Sequence, residues 1–222
     1  MSAQIRGSRK RTSDFASSIT VTTPAGTASG DYMVAFIHFD NLPITLSSDG
    51  GGWVEGDEVN NSFAQASYTL NLTGAPAADY TWTAATSSAN FSGVIVTINP
   101  DGDTFSSFRE VSGTAGGNVT AIAGPIDGFG DPSILLCAFG NDGNRDIVTP
   151  PPEMILAQYA NNTSMELAVY TEINPGSGTA QTRDLLWSET SEQFINHALM
   201  LEFTAPAAAY TRLVNHGSVR TT

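Results

Sequence analysis

Apolar residues recur along the chain in short runs of strand length. The run Met33 to Phe39 follows the turn pair Gly30-Asp31, and about a hundred residues later the run Ile134 to Phe139 follows Gly130-Asp131. Residues 63–72 alternate with a period near two, which is typical of a half-buried strand. The pattern therefore predicts an all-β protein whose strands are joined by glycine-rich turns.

The order of landmarks predicts an internal repeat. One unit covers residues 19–98 and the second covers residues 119–203, joined by a Gly/Ser-rich linker at 99–118. Landmarks of the first unit recur in the same order in the second, with insertions only in loops, as an internal repeat requires. In addition to the Gly-Asp turns, Ile19-Thr20 corresponds to Val119-Thr120, Trp53-Val54-Glu55 to Met154-Ile155-Leu156, Asn60-Asn61-Ser62 to Asn161-Asn162-Thr163, Tyr68-Thr69 with Asn71 to Tyr170-Thr171 with Asn174, and Trp82–Ile98 to Trp187–Phe203.

Each unit supplies strands with one apolar face, and a single sheet cannot cover that face by itself. We therefore expect a two-sheet β-sandwich of about eight to ten strands, jelly-roll-like and spanning residues 19–204. Two independent small sandwiches are the alternative, but alternation on a single face favours one shared core. Residues 1–18 and 205–222 lack this pattern and are expected to be an extended basic arm and a C-terminal tail.

Charge is unevenly distributed. The net charge is −13, yet all 22 acidic residues lie between Asp14 and Glu202, a span whose only basic side chains are Arg109, Arg145 and Arg183, giving 3 − 22 = −19. An acidic body would repel phosphates, which argues against nucleic-acid binding by the folded domain. No apolar run approaches the roughly 18 residues of a membrane span, and residues 1–18 contain no signal-peptide core. We expect synthesis in a cytoplasm and no contact with a membrane.

The N-terminal arm carries the candidate partner-binding residues Arg6, Arg9, Lys10 and Arg11. Four cations give a weak, salt-sensitive contact with nucleic acid. Anchoring onto an acidic neighbour, or onto the acidic body of a sister subunit, is the other interpretation. A frayed tail with no partner is the third.

No catalytic or metal-binding constellation stands out. His38, His197 and His216 are never at metal-ligand spacing, there is no Gly-x-Ser-x-Gly elbow, and the glycine clusters 50–52 and 116–117 are not followed by a lysine and a helix. Residues 142–146 begin like a calcium loop but lack the distal glutamate and contain Arg145, so an Asx turn is the better interpretation and structural calcium the alternative. We expect no enzyme activity, no cofactor and no catalytic or metal residue.

Two other residue types are better explained by packing. Cys137 is the single cysteine and lies within an apolar run, which indicates a buried residue and not a reactive thiol or an intramolecular disulfide. Trp53, Trp82 and Trp187 could line a sugar-binding face, but two of them occupy equivalent strand positions of the repeat, which favours the core.

The stretch Thr23-Pro24-Ala25-Gly26-Thr27-Ala28-Ser29-Gly30-Asp31, leading into an apolar strand, resembles the start of β-sandwich proteins encoded among tailed-bacteriophage structural genes. A Gly-Trp loop follows, here Gly52-Trp53, and a second Gly-Asp opens the second half, so the resemblance covers roughly residues 19–204. It implies a virion component without enzymatic activity. Within that class we expect a capsid decoration or cement protein that binds the major capsid protein or other virion proteins as a homo-oligomer, with a trimer as the expected state. A tail or fibre component and a carbohydrate-binding adhesion module are the alternatives.

Overall fold

The fold is built from antiparallel β-strands. The computed structural model describes residues 3–40, 47–48, 52–60, 63–84, 89–115, 119–128, 132–143, 145–162, 164–176, 181–189 and 194–205. These ranges contain sixteen strands, and all of the strand pairings are antiparallel. Among the described residues, no helix is long and apolar enough to cross a membrane.

The first half of the chain forms two sheets. Its strands are β1 (Gln4–Ala16), β2 (Ser18–Thr22), β3 (Tyr32–Asp40), β4 (Ser47–Ser48), β5 (Val54–Asn60), β6 (Phe63–Asn71), β7 (Asp79–Thr83) and β8 (Ala89–Asn99). Five of them form the first main sheet in the order β1-β8-β3-β6-β5. The other three form the first cover sheet in the order β2-β7-β4.

The second half has the same strand order. Its strands are β9 (Thr104–Ala115), β10 (Thr120–Ile126), β11 (Ser133–Asp142), β12 (Ile147–Thr149), β13 (Ile155–Asn161), β14 (Met165–Ile173), β15 (Gln181–Trp187) and β16 (Phe194–Thr204). The second main sheet runs β13-β14-β11-β16-β9 and the second cover sheet β10-β15-β12. The chain thus consists of two β-sandwich-like halves.

Apolar clusters join the four sheets as successive layers. In β3, Met33 and Ile37 face the first cover sheet, whereas Val34 and Phe36 face the second main sheet, because successive side chains of a strand point to opposite faces. This two-sided burial explains why the run reads as continuously apolar and not as alternating. The central cluster joins the two main sheets, and the third cluster, which includes Trp187, joins the second main sheet to its cover.

The main sheets are stacked so that their edges lie across from each other. β1 of the first sheet contacts β13 of the second, and β5 contacts β9. Each main sheet is therefore covered on both faces: the other main sheet packs on one face, and a cover sheet packs on the opposite face. The expected two-sheet sandwich is thus a stack of four layers, because each half contributes its own small second sheet.

The segment expected to be an arm outside the sandwich is an edge strand within it. Residues of β1 pair with β8 from Gln4 opposite Asn99 to Ala16 opposite Ala89. None of the thirteen residues of β1 is fully buried, so its side chains carry no apolar alternation, and it is held by backbone pairing. Most of the expected linker at 99–118 is likewise a strand, since β9 is the edge of the second main sheet and pairs with β16.

Other expectations lie outside the described residues. These are the second Gly-Asp turn, Gly130-Asp131, the greater part of the glycine clusters at 50–52 and 116–117, and the C-terminal tail beyond residue 205 with His216.

Candidate functional site: the basic edge strand and its groove

The basic residues of β1 lie at an exposed edge of the first main sheet. Arg9, Lys10 and Arg11 are all exposed, and they pair through the backbone with Ile95, Val94 and Gly93 of β8. Alternation along the strand places Arg9 and Arg11 on one face and Lys10 on the other. The positive charges of these three residues therefore lie on both faces of the sheet edge and not on one.

A groove of 590 Å³ separates β1 from the neighbouring strand β2. Its lining includes the three consecutive basic residues of β1 together with Asp79 and a row of hydroxyl groups, from Ser13, Ser18, Thr20 and Thr22. Thr20 and Thr22 are exposed because they alternate along β2 with Ile19 and Val21, which point into the core. We define these residues as the basic groove. It can accept a carboxylate or another anion, with guanidinium groups and hydroxyls as donors.

Arg6 is separated from the basic groove and has a structural role. Its Nε atom lies 2.8 Å from Oδ2 of Asp31, whose side chain is only 2% exposed. The same carboxylate oxygen accepts a hydrogen bond from the backbone N–H of Ala28 at 2.7 Å. The Gly-Asp turn thus ends in a buried carboxylate that anchors β1, which gives this part of the motif a structural explanation.

Lys10 and Ser8 close the gap between the main sheets on this side. The Lys10 ammonium donates to the carbonyl of Tyr159 at 2.5 Å, and the Ser8 hydroxyl donates to the carbonyl of Ala157 at 2.8 Å. Both acceptors belong to β13, the edge strand of the second main sheet. These bonds satisfy carbonyl groups that an edge strand would otherwise leave open to another chain.

The opposite edge of the first main sheet is acidic. β5 contains Glu55, Asp57 and Glu58, of which Glu55 and Asp57 are exposed. Partial burial, and then the charge of Glu58, raise the pKa of the Glu55 carboxyl. One sheet thus has a basic edge and an acidic edge four strands apart.

Polar side chains are also buried between the main sheets. His38 Nε2 lies 3.2 Å from the carbonyl oxygen of Asn141, and the side chain has no exposed surface. Burial lowers the pKa of His38 to about 4, against hydrogen bonds to the carbonyls of Asn141 and Ala64, while the charge of His197 lowers it further. This histidine is neutral near pH 7 and has no access to a substrate.

The remaining sequence candidates are structural. Trp82 and Trp187 are buried, while Trp53 is partly buried against the rings of Tyr80 and Trp82. Cys137 is a free and fully buried thiol, and burial raises its pKa. These placements agree with packing roles for all four residues.

The loop that resembles a calcium site is filled by its own arginine. The Arg145 guanidinium donates to the backbone carbonyl of Asp142, and the Arg145 N–H donates to the buried Glu166 at 2.9 Å. Within the described ranges, no group of three or more His, Cys, Asp or Glu side chains could hold a metal ion.

Sequence reasoning identified the basic residues but missed the groove beside them. The signal was present in Ser18-Ile19-Thr20-Val21-Thr22, where polar residues alternate with apolar ones. The sequence could not predict that β1 and β2 lie side by side, because their contact depends on how the two sheets of this half pack against each other. Comparison of the chain with protein-family models, with curated proteins and with solved structures finds no match.

Proposed function

We propose that the protein is a non-enzymatic structural component of a bacteriophage virion, and within that class a capsid decoration or cement protein that acts as a homo-oligomer, with three copies as the expected number. The pairing order of the strands in each half is the observation that carries this proposal. It supports a jelly roll, an architecture shared by viral capsid proteins and lectins.

In a jelly roll, an antiparallel ribbon of eight strands pairs the first with the eighth, the second with the seventh and the third with the sixth, and then rolls into two facing sheets. In the first half, β1 pairs with β8, β2 with β7, and β3 with β6. In the second half, β9 pairs with β16, β10 with β15, and β11 with β14. One departure is shared: β5 pairs with β6 and β13 with β14, so the fifth strand joins the main sheet.

We further propose that the two halves arose by duplication of one jelly roll. The identical strand order and the identical departure support this origin, because independent folds would have no reason to share an irregular fifth strand. A duplicated jelly roll gives a compact, rigid block with long polar edges. Such a block suits a mechanical role on a particle surface, where buried area and avidity across several copies provide the stabilisation.

A carbohydrate-binding adhesion module is the second candidate function, since lectins use the same architecture. The specific observation in its favour is Trp53, which is partly exposed immediately before β5. Against it, Trp82 and Trp187 are buried, which removes two of the three aromatic rings that a sugar-binding face would use. Glycan-array binding that quenches tryptophan fluorescence would support this alternative over the virion role.

Imaging of native particles tests the virion proposal. The chain, carrying a small epitope tag at its C-terminus, is expressed during particle assembly, and purified particles are imaged with a gold-labelled antibody against the tag. We expect gold over the capsid shell at repeated positions. Gold confined to tails or fibres would replace the decoration role by the tail alternative, and particles without gold would overturn the virion role altogether.

A further inference from the structure

The densest positive and the densest negative segments of the chain lie on opposite edges of one sheet. Arg9-Lys10-Arg11 is the only run of three basic residues in the sequence, and residues 55–58 are the only four-residue window with three acidic ones. The first segment lies in β1 and the second in β5, the two end strands of the first main sheet. A single copy cannot bring them together, because β8, β3 and β6 lie between them.

The charges also lie on the same face of that sheet. Arg9 and Arg11 line the groove against β2, a strand of the first cover sheet. Glu55 and Glu58 pair in register with Tyr68 and Ala66, whose side chains pack in the cluster beneath the same cover sheet. If β5 of one copy lay beside β1 of another in the same orientation, two guanidinium groups would face two carboxylates.

We propose that the protein self-associates head to tail, with the acidic edge strand β5 of one copy seated against the basic edge strand β1 of the next. The contact is heterologous, so it generates a closed ring when the rotation between copies closes and a filament when it does not. This inference deepens the proposed function and rests on its homo-oligomer alone, not on binding to a capsid.

Side chains carry the contact more than a continuous backbone ladder does. On β5 the backbone N–H of Asp57 already donates to Glu110 at 2.9 Å, so this N–H is not available to pair with a strand of another copy. Partial burial raises the pKa of the Glu55 carboxyl most, and the repulsive charge of Glu58 on the same face raises it further. A guanidinium from a second copy would relieve this repulsion, which a like-charged or apolar partner would not do.

A second copy fits the basic groove better than an unrelated acidic segment does. The acidic edge is of strand length, is presented on a rigid sheet, and is available at the same concentration as the groove. Exposed Val54 lies at the start of the same strand and adds apolar area that a purely electrostatic partner would lack. An acidic segment of another protein is the competing occupant that the experiment must distinguish.

Sedimentation velocity of the purified full-length protein, without particles, tests the proposal. At about 0.1 M salt we expect oligomers, and at about 1 M salt dissociation, because the screening length falls from about 10 Å to about 3 Å. Arg9→Glu/Arg11→Glu and Glu55→Lys/Glu58→Lys should each weaken association by about tenfold or more. Mixing the two variants should restore association, since each then presents the complement of the other's edge.

The control is Asp184→Lys/Glu189→Lys, which makes the same charge change at two exposed positions of the second half and should leave association unchanged. Melting temperatures establish that each variant is folded, and single Glu55→Lys replaces the double change if that variant is not. A wild-type protein that is monomeric at low salt, or a mixture that stays monomeric, overturns the proposal and leaves an acidic partner protein as the occupant. Because no particle is present, either result is independent of the imaging of virions.

Discussion

Nδ1 of His197 lies 3.1 Å from Oε1 of Glu110, inside the second main sheet where β16 meets β9. The other oxygen of the same carboxylate accepts the backbone N–H of Asp57 in β5 at 2.9 Å. One side chain therefore joins three strands and both main sheets. Glu110 thus links the two main sheets on this side of the stack, as Lys10 and Ser8 link them on the other side.

Replacing Glu110 with glutamine should destabilise the protein by about 1–3 kcal/mol, because the buried histidine loses a charged hydrogen-bond acceptor. The Glu110 side chain is 6% exposed and that of His197 is fully buried, so water cannot substitute. Chemical denaturation followed by tryptophan fluorescence measures the change. Ser112→Ala is the matched control: it removes the neighbouring exposed bond to Asp57 and should cost less than about 1 kcal/mol. Equal costs for the two variants would show that Glu110 does not join the sheets as described.

Acid should weaken the fold through His38. The unfolded chain binds a proton at this residue below about pH 6.5, whereas burial holds the folded protein unprotonated down to about pH 4. Between these values the unfolded state binds more protons, so the free energy of unfolding falls as the pH falls, by at most about 1.4 kcal/mol per pH unit. Urea denaturation at several pH values between 4 and 7 measures this slope.

The matched variant for that measurement is His38→Gln, which keeps a polar side chain of similar size but cannot titrate. The raised pKa of Glu55 contributes the opposite sign, since protonation of that carboxyl favours the folded state. It is present in both proteins, so it cancels from the difference between their slopes. Identical slopes in the wild type and in His38→Gln would contradict the assignment.

Removing residues 1–16 should unfold the protein or make it insoluble. The truncation exposes the edge of β8 along its whole length and removes the bonds from Ser8 and Lys10 to β13. Thermal unfolding followed by circular dichroism measures the loss. Arg9→Glu/Arg11→Glu is the control because it keeps the backbone of β1, and exposed substitutions of this kind usually stay within about 0.5 kcal/mol. A stably folded truncated protein would return residues 1–16 to the role of a detachable arm.

The sequence was informative wherever a strand is buried. β3 and β11 are apolar because both of their faces are covered, and their apolar runs could be predicted from the sequence. β1 and β9 were missed for the converse reason: an edge strand held by backbone bonds needs no apolar side chains, and a polar strand resembles a linker.

The sequence shows which residues of the candidate site are charged, but it does not show which of them lie together in the fold. Arg6 lies only three residues from Arg9, yet it pairs with a buried aspartate while Arg9 faces the basic groove. That distinction depends on where the Asp31 turn lies against β1, a contact between residues twenty-five positions apart. The acidic edge on β5 became meaningful only when the strand order placed it opposite β1 in one sheet.

Gly140 should not tolerate even a methyl group. It faces the first main sheet at the polar end of the gap, where an added Cβ would lie 2.7 Å from ring atoms of His38 and would also meet the amide oxygen of Gln65. Both neighbours are fully buried, so neither can move into solvent, and we expect Gly140→Ala to destabilise the protein by about 1–3 kcal/mol. Gly113→Ala, also in a strand of the second main sheet, meets nothing within 4 Å and should be nearly neutral. Denaturation midpoints of the two variants decide the matter, since a neutral Gly140→Ala would mean that the main sheets are less closely packed at this end than the structure places them.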